Sequence, residues 1–401
     1  MERQCKEKLK AVGIVAEYNP FHNGHKYHLE KSLELSRADI SVAVISGNFT
    51  QRGDFALMNK WQRSEMAVRC GLNLVVEMPT VFGCGNAGYF ARSGIDILEN
   101  LGVDYISFGS ESGNIERLKE ISRAITENQE IIEENVKVQV KDGISYPRAR
   151  QEALTGIIGD DKLEVIQSPN NVLALEYLKH IKTAVPITVE RIGAGYNDEA
   201  AEGTFPSATS LRHSIYAGRD VDKYLPEAAG NVVHENISHV PKDEVLFKMI
   251  AQTVFSRTEE ELATYFGAEE GLGNKIKNTI RYCNSTEVLL EKLKSKRYTL
   301  TRLKRTLLMI LLGVSRSQIN NTDNYMRVLA MDDKGKDFLG AAKKSGICNI
   351  PIITNMNKEF NAYPTLGTSL ETDILADDLY NLATGRNLYE WSDYVKKPLI
   401  L

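Results

Sequence analysis

Two histidines separated by two residues carry the clearest chemical signal in this chain. His22 and His25 enclose Asn23 and Gly24, shortly after an apolar segment that begins at Val12. If a helix begins here, the i,i+3 spacing puts both imidazoles on one face, beside unpaired backbone amides and the positive end of the helix dipole. A glycine between them lets an anion approach the backbone closely. The pattern predicts a site that holds nucleotide phosphates and stabilises the charge that develops when an α-phosphate is attacked.

Other interpretations of the histidine pair stay open at the level of sequence. Two histidines three positions apart are usually ordinary surface or core residues, and a two-histidine metal site is a further alternative. A metal site would need a third ligand, and neither a cysteine cluster nor a His-Glu pair lies nearby. The sequence therefore predicts no dedicated metal site, and it leaves open whether magnesium touches the protein directly.

The first 220 or so residues alternate short apolar runs with longer helical patterns. Strands are predicted at 11–16, 40–46, 72–77, 105–108 and 187–191, and helical patterns lie between them, as at 60–70 and 88–101. Such alternation predicts a parallel α/β sheet that binds ligands at the carboxyl ends of its strands. Polar or glycine-bearing loops follow four of these runs, at 17–25, 46–53, 77–79 and 108–111. We therefore expect these loops to meet at one edge of the sheet.

Beyond about residue 230 the chain becomes mostly helix-like, which predicts two domains, a catalytic domain at 1–230 and a mostly helical domain at 231–401. Residues 274–305 contain ten Lys or Arg and two Glu, a net of +8 in a chain whose total is −4. Such a block favours binding of a polyanion, although charge runs are commonly solvated helix faces. Tyr282 and Tyr298 lie within it and could stack on unpaired bases. The candidate contacts are Lys292, Lys294, Lys296, Arg297, Arg302, Lys304 and Arg305.

Several other polar residues could contact a nucleotide. Ser207 opens a helical pattern that contains Arg212, a combination that suits phosphate oxygens, although Ser is also a common helix N-cap. Asn170 and Asn171 could bind ribose or base edges, or simply form a turn. Arg191 follows a predicted strand and could pair with a phosphate or with a carboxylate.

Further charged residues are candidates for the same crevice. Lys60 and Arg63 lie one turn apart and could face it, although surface helix charges are commoner. Glu17, Asp54 and Glu77 could hold magnesium through nucleotide phosphates.

Composition narrows the class of protein. The chain has 401 residues, 42% hydrophobic and 25% charged, as in ordinary globular proteins. Its five scattered cysteines form no CxxC, which favours a reducing cytoplasm. No apolar run reaches membrane-spanning length, and no signal peptide is evident, so we expect a cytoplasmic protein without a membrane partner. The sequence does not predict an oligomeric state.

The motifs together resemble a known family. His-Asn-Gly-His at 22–25 and Ser-Ala-Thr-Ser-Leu-Arg at 207–212 resemble the two signatures of the nucleotidylyltransferase superfamily, with Ala208 where the second signature has serine. The runs at 13–25, 46–53, 108–111, 169–173 and 191–196 look like the bacterial tRNA(Met) cytidine acetate ligases. The resemblance extends through 302–305 and 325–329 to most of the chain.

The resemblance implies a Rossmann-like nucleotidylyltransferase domain that binds ATP, followed by a tRNA-binding domain. It implies activation of acetate as acetyl-adenylate and transfer of acetyl to the wobble cytidine of elongator tRNA(Met), with magnesium accompanying ATP and His22 and His25 as catalytic residues. A small-molecule adenylyltransferase of cofactor biosynthesis is the alternative. Together with the candidates above, the predicted ATP-binding residues are Gly13, Ile14, Val15, Ala16, Glu17, Tyr18, Asn19, Pro20, Phe21, His22, Asn23, Gly24, His25, Lys26, Gly109, Asn170, Asn171, Arg191, Ser207 and Arg212.

Overall fold

The fold is built on one mixed eight-stranded sheet. A computed structural model describes residues 9–191, 206–295 and 297–401. The strand order is β5-β4-β1-β2-β3-β6-β7, and β8 also pairs with β6. The strands are β1 Ala11–Ala16, β2 Ile40–Ile45, β3 Leu74–Glu77, β4 Tyr105–Ser110, β5 Val185–Glu190, β6 Met326–Met331, β7 Ile352–Ile353 and β8 Leu399–Ile400.

The first five strands run parallel, as the sequence predicts, and their ends agree with the predicted ends to within two residues. All six residues of β2 are buried, which is typical of a parallel strand covered on both faces. From β1 the chain proceeds to β2 and β3 on one side, and β4 and β5 lie on the other. The order therefore reverses beside β1, the position where open α/β sheets bind ligands.

Helices cover the sheet and form most of the second half of the chain. In the first half they are α1 Asn23–Ser36, α2 Lys60–Arg69, α3 Thr80–Gly83, α4 Ala87–Leu101, α5 Ile115–Glu127, α6 Gln129–Lys141, α7 Tyr146–Ile158, α8 Leu163–Gln167, α9 Pro169–His180, α10 Ala208–Tyr216 and α11 Glu227–Asn236. In the second half they are α12 Asp243–Phe255, α13 Glu259–Thr264, α14 Leu272–Ile280, α15 Thr286–Leu293, α16 Leu300–Leu311, α17 Arg316–Asn321, α18 Asp333–Ser345, α19 Met356–Ala362, α20 Gly367–Thr384 and α21 Leu388–Trp391.

The second half also contributes strands to the sheet, which the sequence did not predict. β6 pairs antiparallel with β3, and β7 and β8 pair parallel with β6. The residues after 230 are thus mostly helical, but β6, β7 and β8 belong to the same sheet as β1. The division of the chain at 230 stays a prediction.

A buried ion-pair cluster joins the end of the chain to this sheet. The ammonium of Lys60 lies 2.6 Å from a carboxylate oxygen of Asp393 and 3.0 Å from one of Glu77. Arg327 also pairs with Asp393, and its guanidinium lies 4.9 Å from the ring centroid of Trp61. Burial raises the pKa of Glu77 to about 7, although Lys60 opposes the shift. Removing one partner of such a cluster would leave a buried charge uncompensated.

Within the described residues, no helix combines the length and the apolar character needed to span a bilayer.

Candidate active site

A cleft of about 520 Å³ opens at the carboxyl ends of the parallel strands around β1. Fourteen of the predicted ATP-binding residues line it. They are Ile14, Val15, Ala16, Glu17, Tyr18, Asn19, His22, Gly24, His25, Gly109, Asn170, Arg191, Ser207 and Arg212.

The other six predicted ATP-binding residues do not line this cleft; they are Gly13, Pro20, Phe21, Asn23, Lys26 and Asn171. Gly13 lies against α4, where a Cβ atom would be 2.6 Å from a methyl carbon of Leu98. The Phe21 side chain is fully buried. The side-chain amide of Asn23 donates to the Lys223 carbonyl at 3.0 Å. Their part in binding the nucleotide stays a prediction.

The two histidines cap α1 reciprocally. His22 is the N-cap residue, and its Nδ1 accepts a hydrogen bond from the Gly24 amide at 3.0 Å. The His22 amide donates in turn to Nδ1 of His25 at 3.3 Å. The two rings lie 3.8 Å apart between centroids. Because both Nδ1 atoms accept, the geometry assigns the proton of each neutral ring to Nε2, which makes each ring a hydrogen-bond donor.

Burial keeps both rings uncharged at neutral pH. It lowers the pKa of His22 to about 3, and the positive charges of Arg191 and Arg212 act in the same direction. The pKa of His25 is lowered well below its ordinary value, first by burial and then by His22 and its other basic neighbours. Neutral imidazoles of this kind stabilise developing negative charge by donating hydrogen bonds.

Two arginines flank the histidines. Arg212 donates from Nη1 to the Asn19 carbonyl at 2.9 Å and from Nη2 to the Thr209 hydroxyl at 3.0 Å. Arg191 follows β5, and its amide donates to the Ser110 carbonyl at 3.0 Å. The cleft therefore combines neutral donors with cationic groups, a combination that suits a triphosphate.

Ser207 acts as the N-cap of α10. Its hydroxyl accepts from the Ser210 amide at 3.1 Å. The side chain thus serves the capping role that the sequence left as an alternative, while the residue itself still lines the cleft.

The adjacent asparagines have different environments. Asn170 lines the cleft, and its side-chain amide donates to the Glu111 carboxylate at 2.6 Å. Asn171 is 2% exposed, and its side-chain oxygen accepts from the Glu111 amide at 3.0 Å. This arrangement favours Asn170 as the nucleotide contact and gives Asn171 a structural role.

Three residues that were candidates for the crevice are buried in the protein and do not line the cleft. Lys60 and Glu77 pair with each other in the buried cluster. Arg63 is fully buried, and its guanidinium donates to the carbonyls of Glu17 and Ser46 at 2.5 and 2.9 Å. Arg63 therefore fixes the loops after β1 and β2 and does not line the cleft.

The predicted basic region divides into two parts. Lys304 on α16 pairs at 2.7 Å with Asp54, which lines the cleft. At the end of α15, Lys292 and Lys294 are exposed, as is Arg297 after it. Lys296 lies outside the described residues, as does most of the 191–196 motif.

The two tyrosines of the basic region differ in exposure. Tyr298 is buried, with the guanidinium groups of Arg297 and Arg302 within 5.6 and 5.0 Å of its ring centroid. Tyr282 is 76% exposed and could stack on a base.

Sequence reasoning missed several residues of the cleft wall. His28 lies one turn after His25, and burial lowers its pKa to about 4. Thr50, Gln51 and Arg52 line the cleft from the loop after β2. The same i,i+3 spacing could have identified His28, and the predicted loop at 46–53 contained the other three.

The carboxylates of the cleft do not form a dedicated metal site. Glu17 and Asp54 line it, but no group of three or more His, Cys, Asp or Glu in the described ranges is arranged to hold a metal ion.

Comparison with known proteins agrees with this geometry. Residues 9–393 match the family model described as HIGH Nucleotidyl Transferase. A tRNA(Met) cytidine acetate ligase of Thermoanaerobacter sp. (strain X514) is 35% identical, covering 97% of this chain and 99% of the relative. One from Caldicellulosiruptor saccharolyticus is 37% identical, covering 93% and 94%.

Solved structures show the same fold. Apo Thermotoga maritima TmcAL has a TM-score of 0.90 and 29% identity over 98% of this chain and 100% of that one. The same protein bound with alpha-thio ATP has a TM-score of 0.88 and 28% identity over the same shares. The histidine pair that caps α1 beside the cleft agrees with these matches. The chain belongs to the tRNA(Met) cytidine acetate ligase family of HIGH-type nucleotidyl transferases.

Proposed function

We propose that this protein is an ATP-dependent ligase that acetylates the wobble cytidine of elongator tRNA(Met) to N(4)-acetylcytidine through an acetyl-adenylate. The observation that carries the proposal is the pair of neutral imidazole donors at the start of α1, with Arg191 and Arg212 beside them. Simple nucleotide binding would not require two donors aimed at one developing charge.

In the first step an acetate oxygen attacks the α-phosphorus of ATP. An O–P bond forms, the bond to the β-phosphate oxygen breaks, and its electron pair leaves with pyrophosphate. His22 and His25 would donate from Nε2 to the oxygens on which charge accumulates, and each preorganised donor contributes about 3–4 kcal/mol. Arg191 and Arg212 would hold the departing pyrophosphate.

In the second step the cytidine amine attacks the acetyl carbon. A C–N bond forms, the C–O bond to AMP breaks, AMP carries away the electron pair, and one amine proton is released. The adenylate is already reactive, so this step needs mainly an unstacked base held in position.

The cations of α15 and α16 are suited to holding the tRNA. Lys304 lies at the rim of the cleft through its contact with Asp54, while Lys292 and Lys294 are exposed at the end of α15, which packs on α16. A tRNA whose backbone phosphates bind these residues would have its anticodon loop near the histidines.

Magnesium would arrive with the ATP phosphates. Glu17 and Asp54 are carboxylates of the cleft wall that could bind its hydration water, since magnesium commonly keeps several waters in nucleotide sites.

One experiment separates this function from small-molecule adenylylation. The protein is incubated with ATP, labelled acetate and bulk tRNA, and the RNA nucleosides are analysed. We expect label in acetylcytidine, and its loss in a His22→Asn variant, which keeps a capping side chain but lacks the imidazole. Unlabelled RNA together with adenylation of a small molecule would instead support the alternative enzyme.

A further inference from the structure

Part of the cleft wall is apolar and is built from the elements that pack around α4 and α9. Five side chains form it, and we call them the apolar patch: Val15, Phe90, Phe108, Leu173 and Tyr177. They come from β1, α4, β4 and α9. The cleft that contains the histidine pair therefore also contains a surface suited to an apolar group.

Contacts between these elements hold the patch together. The rings of Phe108 and Tyr177 lie 5.8 Å apart between centroids in a tilted arrangement. Gly94 lies one turn after Phe90 on α4, and a Cβ atom there would be 2.8 Å from both methyl carbons of Val15. α9 packs on α4 and on β4. The walls of the patch are thus fixed by the packing of helices on the sheet.

Tyr177 is the member of the patch whose side chain carries a polar group. It is 3% exposed, and its hydroxyl has no hydrogen-bond partner within the described residues. An unpaired buried hydroxyl costs free energy, which a ligand that accepts its hydrogen bond would recover. Burial raises the pKa of this phenol, and the negative charge of Glu17 acts in the same direction, so the hydroxyl keeps its proton at neutral pH. It is therefore a neutral donor at the cleft wall.

Among the ligands of the proposed reaction, acetate fits this combination best. Its methyl group would be buried against Phe90, Phe108 and Leu173, and one carboxylate oxygen would accept from the hydroxyl. Adenine and cytosine also bind apolar surfaces, but each carries several polar atoms at its edge. A patch with one donor would leave most of these atoms without a partner, which disfavours either base there.

The patch lies apart from the predicted base or ribose contact but close to a cation assigned to the phosphates. Tyr177 lies seven residues after Asn170 on α9, which is about 10 Å along the helix. Gly109 follows Phe108 directly in β4, and a Cβ atom at Gly109 would lie 3.5 Å from the side chain of Arg191. An acyl group in the patch would therefore lie near the phosphate-binding part of the cleft.

We propose that the apolar patch holds the methyl group of the acyl substrate and that the Tyr177 hydroxyl donates a hydrogen bond to one of its carboxylate oxygens; this inference rests on the proposed function. The other oxygen is then left to attack the α-phosphorus, so the hydroxyl orients the nucleophile. In the adenylate the same hydroxyl donates to the acetyl carbonyl oxygen, on which charge grows as the amine attacks. The fixed walls of the patch favour acetate over longer acids.

The first test uses acetate-dependent exchange of pyrophosphate into ATP, measured without tRNA so that the first step is followed by itself. We expect Tyr177→Phe to raise KM for acetate about 10- to 100-fold, the usual effect of losing a hydrogen bond to a charged group, and KM for ATP by less than about threefold. Because the hydroxyl has no partner in the described protein, we expect the variant to unfold at a temperature no lower than the wild type.

Tyr380→Phe is the matched control for the loss of a buried hydroxyl. Tyr380 is also buried and does not line the cleft, and its hydroxyl donates to the Leu57 carbonyl at 3.1 Å. We expect this control to unfold at a lower temperature than the wild type and to keep the wild-type KM for acetate.

Leu173→Ala tests the site of the methyl group. Leu173 is half-buried in the cleft wall, and its truncation makes room for a longer acyl chain. We expect the ratio of kcat/KM for propionate to kcat/KM for acetate to rise about tenfold, within the range that one methylene contributes in an apolar pocket. Leu178→Ala removes a half-buried leucine of the same helix that does not line the cleft, and we expect it to leave the ratio unchanged.

The outcomes are distinct. An unchanged KM for acetate in Tyr177→Phe overturns the assignment of Tyr177 and leaves the proposed function intact. Equal rises in KM for ATP and acetate also overturn it, as does a fall in unfolding temperature equal to that of the Tyr380→Phe control. The same propionate-to-acetate ratio in both leucine variants overturns the site of the methyl group. If the wild type gives neither acetate-dependent exchange nor acetylcytidine, the proposed function itself fails, and this inference with it.

Discussion

A Cβ atom on Gly24 would lie 2.8 Å from Cε1 of the His22 ring. The missing side chain therefore lets the imidazole fold back over the Gly24 amide and accept its hydrogen bond. We predict that Gly24→Ala displaces the ring and lowers kcat about 100-fold, as misplacement of a catalytic group by about 1 Å commonly does. Pyrophosphate release measures the effect.

Gly156→Ala is the matched control for that variant. Gly156 lies in α7 with nothing within 4 Å of a built Cβ atom. We expect unchanged turnover and a gain of about 0.5–1 kcal/mol in the free energy of unfolding, since alanine favours a helix interior. Full turnover in Gly24→Ala would contradict the role assigned to His22.

The half-buried histidines of the cleft predict a loss of stability in acid. The pKa of His22 falls from 6.5 to about 3 and that of His28 from 6.5 to about 4 in the folded state. At a pH between the folded-state pKa and 6.5, the unfolded chain binds more protons than the folded chain. The free energy of unfolding is therefore highest above pH 6.5 and decreases as the pH falls below 6.5. Each histidine contributes at most about 2 kcal/mol to this decline between about pH 6.5 and pH 5.

Urea unfolding of a His22→Asn/His28→Gln variant at about pH 6.5 and pH 5 measures how much the two histidines contribute to this loss of stability. We expect the variant to lose less stability on acidification than the wild type. His239→Gln, which removes an exposed histidine, is the control. Identical pH dependence in the double variant and the wild type would show that the imidazoles are accessible to protons in the folded state.

The two adjacent asparagines predict opposite phenotypes. Asn171→Ala removes the acceptor of the Glu111 amide, and we expect a loss of about 0.5–1.5 kcal/mol in the free energy of unfolding with little change in KM for ATP. Asn170→Ala is expected to raise KM for ATP with a smaller effect on stability, because Asn170 lines the cleft. Thermal unfolding and ATP titration of both variants distinguish the roles, and reversed results would exchange them.

The exposed lysines at the end of α15 predict a salt-dependent effect on RNA binding. We expect Lys292→Ala/Lys294→Ala to weaken tRNA binding and to reduce the slope of log Kd against log salt by about one unit for each phosphate that is no longer neutralised. KM for ATP is expected to stay unchanged. Lys137→Ala/Lys141→Ala on α6 removes the same charge elsewhere on the surface. An equal slope in both double variants would exclude α15 from the RNA surface.

The first five strands could be predicted because each is a short apolar run with a turn or a polar loop after it. β6 could not, because the segment 326–331 lies between helical patterns and its strand character depends on pairing with β3, which is far away in sequence. The buried cluster explains the error at Lys60 and Glu77. Periodicity shows that Lys60 lies on a helix, but only the fold shows that Asp393 faces it.

The histidine pair and its strand–loop–helix setting could be recognised because their chemistry is local in sequence. The roles of Asn170 and Asn171 could not be separated, since Glu111, which distinguishes them, lies about sixty residues earlier. Arg52 was missed for a similar reason: its place in the cleft wall depends on the packing of its loop against α16.

The contact between Lys60 and Asp393 spans 333 positions of the chain. During synthesis Lys60 therefore has Glu77 as a buried partner long before Asp393 is made. Until then the cluster lacks the carboxylate that Lys60 shares with Arg327, and burying both cations with Glu77 alone would leave a charge uncompensated. We therefore expect this cluster, and the packing of β6 against β3 that contains it, to be completed only after Asp393 has been synthesised.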